Sequence, residues 1–224
     1  MMDIQTIHSP EGNILADSAK ALDLVIVKYN AGNIQSVLYA LERIGVAAVV
    51  TDDHEQIKAA KKVIFPGVGE ASSAMRYLKE RGLDEVIKNL TQPVLGICLG
   101  MQLMCRYSEE NDTDCLGIFE EEVKKFTPGN SVDSNGQRLK IPQIGWNNIY
   151  NLQSVLFNGV PNESYCYFVH GYYAALGEHT IATTDYVLPY SSALHKGNFY
   201  GAQFHPEKSA NVGERILRNF IELV

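Results

Sequence analysis

The sequence predicts an α/β protein built on a doubly wound, mostly parallel sheet with an antiparallel excursion, and three observations carry that prediction. Strand-like and helix-like segments alternate through the first half of the chain. The strand-like runs are apolar throughout instead of alternating, as strands covered on both faces require. Glycine-rich turns sit where strands end and helices begin, and in such sheets ligands bind beyond the carboxyl ends of the strands.

Residues 1–21 mix polar residues with Pro10 and Gly12 and show no period, so they read as an extension ahead of a single domain over residues 22–224. Residues 22–27 (Leu-Asp-Leu-Val-Ile-Val) form the first strand-like run. A turn at residues 29–33 (Tyr-Asn-Ala-Gly-Asn) follows, then apolar Ile34, Val37, Leu38, Leu41 and Ile44 at helical spacing until Gly45 ends the helix. Residues 46–50 read as a second strand, residues 54–60 as a short helix and Val63-Ile64-Phe65 as a third strand. Helical spacing returns at Ala74, Met75 and Leu78 and again at Leu83, Val86, Ile87 and Leu90. Residues 116–126 and 139–150, on either side of a polar loop containing Asn135-Gly136, read as the antiparallel excursion. An aromatic run at residues 165–173 and short strands at 180–184, 192–194 and 199–204 complete the chain.

Composition excludes several functions. With 46% hydrophobic residues in 224, the chain is long enough to bury a full core. Nineteen basic against 26 acidic residues, a net charge of −7 and no basic stripe with interleaved aromatics argue against a nucleic-acid partner. No apolar run reaches the roughly 18 residues of a membrane span, and no secretory layout opens the chain, so a cytoplasmic protein away from membranes is expected. The four cysteines contain no Cys-x-x-Cys pair, so neither a structural zinc site nor a redox dithiol is expected, and no metal or cofactor is called for. Cys105, Cys115 and Cys166 read as reduced structural thiols.

Cys98 is different. The run Pro-Val-Leu-Gly-Ile-Cys-Leu-Gly-Met-Gln at residues 93–102 has the form of a nucleophile elbow, a sharp strand-to-helix turn that holds the thiol at the strand's carboxyl end. Unpaired N–H groups of the following helix favour thiolate over thiol there. A buried structural cysteine fits the same pattern, because free cysteine packs as a small hydrophobe. The Pro66-Gly67-Val68-Gly69 turn at another strand end leaves backbone N–H groups uncovered, which suits binding an oxyanion; an ordinary turn fits it too. Gln102, one helical turn after Cys98, is either a solvent-facing residue or an anchor for a polar substrate. The acidic stretch Ser108-Glu109-Glu110-Asn111-Asp112 reads as a solvated loop, or one of its carboxylates meets a substrate ammonium. Trp146, the only tryptophan, suits either core packing or a partner interface. In His205-Pro206-Glu207 the proline biases His205 toward extended geometry, and alternation along an extended segment puts His205 and Glu207 on one side. A carboxylate there holds one imidazole nitrogen and leaves the other to take a proton from a thiol.

Together, Pro-Gly-Val-Gly, Gly-Ile-Cys-Leu-Gly and Gln-Phe-His-Pro-Glu-Lys-Ser, in that order, resemble the class I (triad) glutamine amidotransferases. Residues 29–37, Gly145-Trp146-Asn147, residues 167–172 and the tail after His205 narrow the resemblance to the family of glutaminase subunits of imidazole glycerol phosphate synthase. The resemblance implies a flavodoxin-like sheet, no cofactor, and glutamine hydrolysis with Cys98 as nucleophile, His205 as general base and acid, and Glu207 orienting the imidazole. It implies an oxyanion hole from the backbone N–H groups of Val68 and Leu99. Glutamine would be held by the Gly67 turn, Gln102, Glu110 on its ammonium, and the main chain at Gly171 and Tyr172. It implies a heterodimer with a (β/α)8-barrel cyclase that receives the ammonia, with Asn33, Trp146 and Lys208 facing that partner. Three other readings compete: a triad glutaminase serving another synthase, a non-catalytic module that keeps the fold, and a hydrolase on a related scaffold. Pro-Gly-Val-Gly and Gly-Trp-Asn argue against the first, and an intact Cys98, His205 and Glu207 against the second.

Overall fold

The computed structural model describes residues 22–30, 33–129, 131–132 and 136–224. The expected extension at 1–21, Ala31 and Gly32 of the first turn, and Asn135 of the Asn-Gly pair lie outside them. Strand β1 (Leu24–Val27), helix α1 (Ile34–Arg43), β2 (Val49–Thr51), α2 (His54–Ala59), β3 (Lys62–Gly67), α3 (Ala71–Glu80), α4 (Leu83–Lys88), β4 (Val94–Cys98) and α5 (Leu99–Met104) form the first half. Then come β5 (Tyr107–Ser108), β6 (Thr113–Asp114), β7 (Glu122–Lys125), β8 (Gln143–Ile149), β9 (Ser164–His170), β10 (Tyr172–Ala174), β11 (Thr180–Asp185), β12 (Pro189–Lys196), β13 (Phe199–Ala202) and α6 (Ala210–Glu222).

The main sheet runs β2-β1-β3-β4-β13-β12-β10-β7-β5-β6, with β11 against β12. Its first five strands are parallel, and β13, β12, β10 and β7 then pair antiparallel. The core strands are apolar because both faces are covered: Val25, Val63 and Phe65 enter one core layer with α3 and α4, while Leu24, Ile26 and Ile64 enter the other with α1 and α6. The expected α/β fold is therefore present. Gly45 closes α1 in a left-handed conformation, φ 77°.

Two expectations change. The second strand lies at Val49–Thr51 instead of 46–50; it is the sheet edge, and Val49 is exposed. Residues 116–126 and 139–150 do not pair with each other. Strand β7 pairs with β10 and β5 in the main sheet, while β8 forms a separate two-stranded ribbon with β9. The alternation on β8 and β9 explains this choice: Gln143, Ile149, Cys166, Phe168 and His170 turn into the core while Ile144, Trp146 and Tyr165 face outward. The aromatic run at 165–173 is likewise two strands, broken at Gly171, one in each sheet.

Candidate active site

Strands β3, β4 and β13 lie side by side, so their carboxyl ends share one edge of the sheet. Cys98 ends β4 with φ 52° and ψ −110°, a strained conformation for a residue with a Cβ that costs on the order of 1–3 kcal/mol. The glycines around it allow close approach. Gly67 pairs in register with Cys98, and a Cβ on it would meet Tyr29 Oη, Gly100 N at 2.7 Å and Leu99 Cβ at 2.9 Å. A Cβ on Gly100 would run into the carbonyl of Phe65. The turn therefore presses α5 directly onto β3, and only glycine fits.

His205 follows β13, whose parallel pairing with β4 brings the imidazole beside the thiol. His205 Nδ1 lies 2.8 Å from Glu207 Oε1, with the two side chains 3% and 1% exposed. The contact is the expected one, but its geometry is not. Pro206–Lys208 is one turn of 3-10 helix, so Glu207 reaches the ring by curling back instead of by alternation along an extended strand. The His205 main chain is clamped from two sides by β9. His205 N donates to Tyr167 O at 2.9 Å, and Ser209 Oγ accepts from Tyr167 N at 2.9 Å while donating to His205 O at 2.7 Å. Burial alone would push the His205 ring down, but the neighbouring Cys98 sulfur, by charge and by hydrogen bond, together with Glu207 overcomes this and raises it to about 10. With Nδ1 on Glu207, the other ring nitrogen is the one left for the sulfur.

A cavity of about 440 Å³ opens on this pair, a size suited to a small polar ligand. Of the residues expected to act, Cys98, His205, Val68, Leu99, Gln102, Glu110, Gly171, Tyr172 and Lys208 line it. Gly67 does not line it, and neither does Glu207, which meets His205 instead. Leu99 is the first residue of α5, so its N–H has no intrahelical partner. Glu110 is fixed by a 2.8 Å bond from Ala71 N to its Oε2, which leaves Oε1 for a ligand. Burial raises the Glu110 carboxyl above its ordinary value, opposed by the Ala71 bond. Next to it, burial works against ionisation of Glu70, but bonds from Ser72, Asn111 and Ser73 prevail and hold that carboxyl at about 2.

Several expectations are corrected or sharpened. Gln102 is buried, not solvent-facing, and its Nε2 is committed to Tyr172 O and Gln203 Oε1, both at 2.9 Å, so only its Oε1 remains for a substrate. The carbonyls of Gly171 and Tyr172 already accept from Phe126 N and from His170 Nδ1 and Gln102. Trp146 is 52% exposed, which removes the core-packing option, and it meets Tyr167 edge-on. Asn33 stands ahead of α1, outside the cavity, with its Oδ1 on Ser36 Oγ. Burial pushes Cys105 well up and Cys115 and Cys166 to about 12, as inert thiols require. Among the described residues no group of three His, Cys, Asp or Glu side chains is placed to hold a metal ion, and no helix is long and apolar enough to cross a membrane.

Three contributors were not singled out from the sequence: Gln203 and the Val169 carbonyl, each 3.7 Å from Cys98 Sγ, and Ser209. Gln203 had a signal, since it stands two residues before His205 and so shares its side of an extended segment.

The model of the family "Glutamine amidotransferase class-I" matches residues 25–223. Over 202 residues the chain is 58% identical to the imidazole glycerol phosphate synthase subunit HisH of Bacteroides fragilis, covering 90% of this chain and 100% of that one. The chain belongs to the HisH family of class I glutamine amidotransferases. This amidotransferase is also 57% identical to HisH of Bacteroides thetaiotaomicron over the same shares of both chains, and 45% identical to that of Idiomarina loihiensis, over 90% of this chain and 98% of that one. Among solved structures it resembles a glutamine amidotransferase with TM-score 0.66, 20% identity and 89% and 97% of the two chains covered. It also resembles PurLQS of Thermotoga maritima, with TM-score 0.64, 14% identity and 90% and 98% covered. At these identities the likeness to both is one of fold.

Proposed function

We propose that the protein hydrolyses glutamine to glutamate and ammonia and delivers the ammonia to a cyclase subunit, a (β/α)8 barrel, that forms imidazole glycerol phosphate and aminoimidazole carboxamide ribotide in histidine biosynthesis. The observation that carries this reading is the buried imidazole held between the Cys98 thiol and the Glu207 carboxylate at the floor of the cavity. Cys98 attacks the side-chain amide carbon as its proton passes to His205. The tetrahedral oxyanion is met by the N–H groups of Val68 and Leu99, and His205 then protonates the departing ammonia. Water, deprotonated by His205, cleaves the glutamyl thioester. Glu110 takes the substrate ammonium, and Gln102 Oε1 with the Val68-Gly69 side of the Gly67 turn and the main chain at Gly171 and Tyr172 fixes the rest.

Free ammonia in solvent would be protonated and diluted, which favours direct transfer within a heterodimer. The outward face of the β8–β9 ribbon supports such a partner. Ile144, Trp146 and Tyr165 are each more than half exposed, next to a cavity whose rim includes Lys208. Trp146, Lys208 and Asn33 are assigned to that interface, and the complex to the cytoplasm. A glutaminase gated by its partner would turn over weakly alone and strongly with the cyclase carrying its ribotide ligand. The decisive experiment supplies glutamine labelled at the amide nitrogen to the protein with and without the cyclase and its ribotide. Label in the imidazole product supports the reading. No glutamate release, or release with no label in the product, overturns it.

A further inference from the structure

Two glutamines buried behind the nucleophile form a relay, of which the mechanism above uses only the Oε1 of Gln102. Gln203 is fully buried, its N–H held by Ser192 O at 2.9 Å, and its Nε2 lies 3.7 Å from Cys98 Sγ. The polarity of this amide is forced. Tyr172 O is a backbone carbonyl and only accepts, so the Gln102 atom facing it at 2.9 Å is the NH2 group. The second hydrogen of that NH2 meets Gln203 at 2.9 Å, which makes the facing Gln203 atom its oxygen. The Gln203 NH2 is thereby turned to the sulfur, and a flip, ordinarily a free choice for an amide, is closed off.

The sulfur stands between opposing neighbours. The Val169 carbonyl, also 3.7 Å away, accepts from a thiol and repels a thiolate. The Gln203 N–H and a protonated His205 act in the other sense. We propose that Gln203 is a further catalytic residue, an N–H donor to Cys98 Sγ that offsets the Val169 carbonyl and favours the anionic nucleophile, with Gln102 as the positioning residue that sets the donor's direction. The inference rests on Cys98 being the nucleophile. In the step itself the thiol proton moves to the free nitrogen of His205, the sulfur keeps the bonding pair, and the Gln203 hydrogens stay on nitrogen. The donor keeps its partner in the thiolate, whereas the Val169 contact is lost. The titratable groups facing this sulfur across the cavity and behind it are His205, His170, Glu110, Tyr172, Lys208 and Tyr29. The side-chain bonds of Gln203 run to Gln102 and Cys98 and to none of these groups directly.

The test is the pH profile of Cys98 alkylation by iodoacetamide on the full chain, read on the Cys98 peptide by mass spectrometry so that the other thiols do not contribute. In a folded Gln203→Leu variant the pH of half-maximal rate should rise by about one unit, the share expected of one hydrogen bond to a charged group. Gln203→Glu, of the same size but facing the sulfur with a carboxylate, should raise it further. Gln102→Leu leaves Gln203 in place but removes the group that aims it, and should raise it as well. If Gln203 only fills space, Gln203→Leu lowers thermal stability and leaves the profile where it was, which overturns the proposal. Should Gln203→Leu not fold, an unmoved profile in Gln102→Leu overturns it instead. The readout needs no glutamine turnover, so a protein that fails to hydrolyse glutamine with its cyclase refutes the glutaminase reading separately.

Discussion

Glu207→Gln keeps the shape of the side chain and removes its charge, and the structure sets the size of the effect. The carboxylate sits 2.8 Å from His205 Nδ1, with both side chains almost fully buried. Full charges at that distance attract by about 6 kcal/mol at an effective dielectric constant of about 20. The amide oxygen of the glutamine still accepts from Nδ1–H, so roughly half of this stabilisation of the protonated imidazole, about 3 kcal/mol, is lost, a fall in kcat of roughly 10²-fold. Glu207 does not line the cavity, so KM should hardly change. Glu207 Oε2 has no hydrogen-bond partner. The amide NH2 placed there would be a buried donor without an acceptor, and folding should weaken by about 1–3 kcal/mol. Steady-state glutaminase kinetics with the cyclase present, together with urea denaturation, measure both. A fall in kcat under about threefold, or a loss carried mainly by KM, would refute the argument that this carboxylate works through the imidazole.

Gly67→Ala should cost about 1–3 kcal/mol by overpacking against Gly100 N and Leu99 Cβ and should lower glutamine turnover about 10²-fold by displacing an oxyanion donor; unchanged melting and turnover would show that the elbow has slack. Glu70→Ala removes the acceptor for Ser72 N and Ser73 N and should destabilise by about 1 kcal/mol at pH 7. Because folding lowers this carboxyl from 4.5 to about 2, its contribution is full above pH 4.5 and disappears as pH falls through about 2, so the gap from the unsubstituted protein in urea should shrink over that window. Joint replacement of Ile144 and Trp146 by alanine should leave thermal stability nearly unchanged, since both are exposed, and weaken cyclase binding by roughly 30-fold or more in titration calorimetry. Unaltered affinity would move the interface elsewhere.

The parallel half of the fold was legible because its inner strands are local apolar runs, and because helices such as α1 repeat their buried positions every three to four residues. The meeting of Cys98, His205 and Glu207 was legible for a related reason: each stands in a turn whose composition departs from ordinary packing. The ribbon was not. Its register joins residues 143–149 to 164–170 across a loop, and nothing local to residues 116–126 announces that β7 will pair with β10 instead. Gln102 was left between two roles because its helix is buried on all sides, a fact fixed by β10 and by Gln203 far along the chain. Gln203 itself looks like an ordinary strand residue until the neighbour it faces is known. The way Glu207 reaches His205 was also hidden, since proline permits both an extended segment and the start of a tight helical turn.

Cys98 ends one strand of the large sheet and His205 follows another, yet the carbonyl touching the sulfur and the clamp on His205 come from β9, one half of a ribbon of two strands. That ribbon is seated by Ile149, Cys166 and Phe168 in the core it shares with the last helix, so any change in packing on its inner face shifts the carbonyl at the sulfur and the support of His205 together. Core side chains far from the cavity thereby set the alignment of the site.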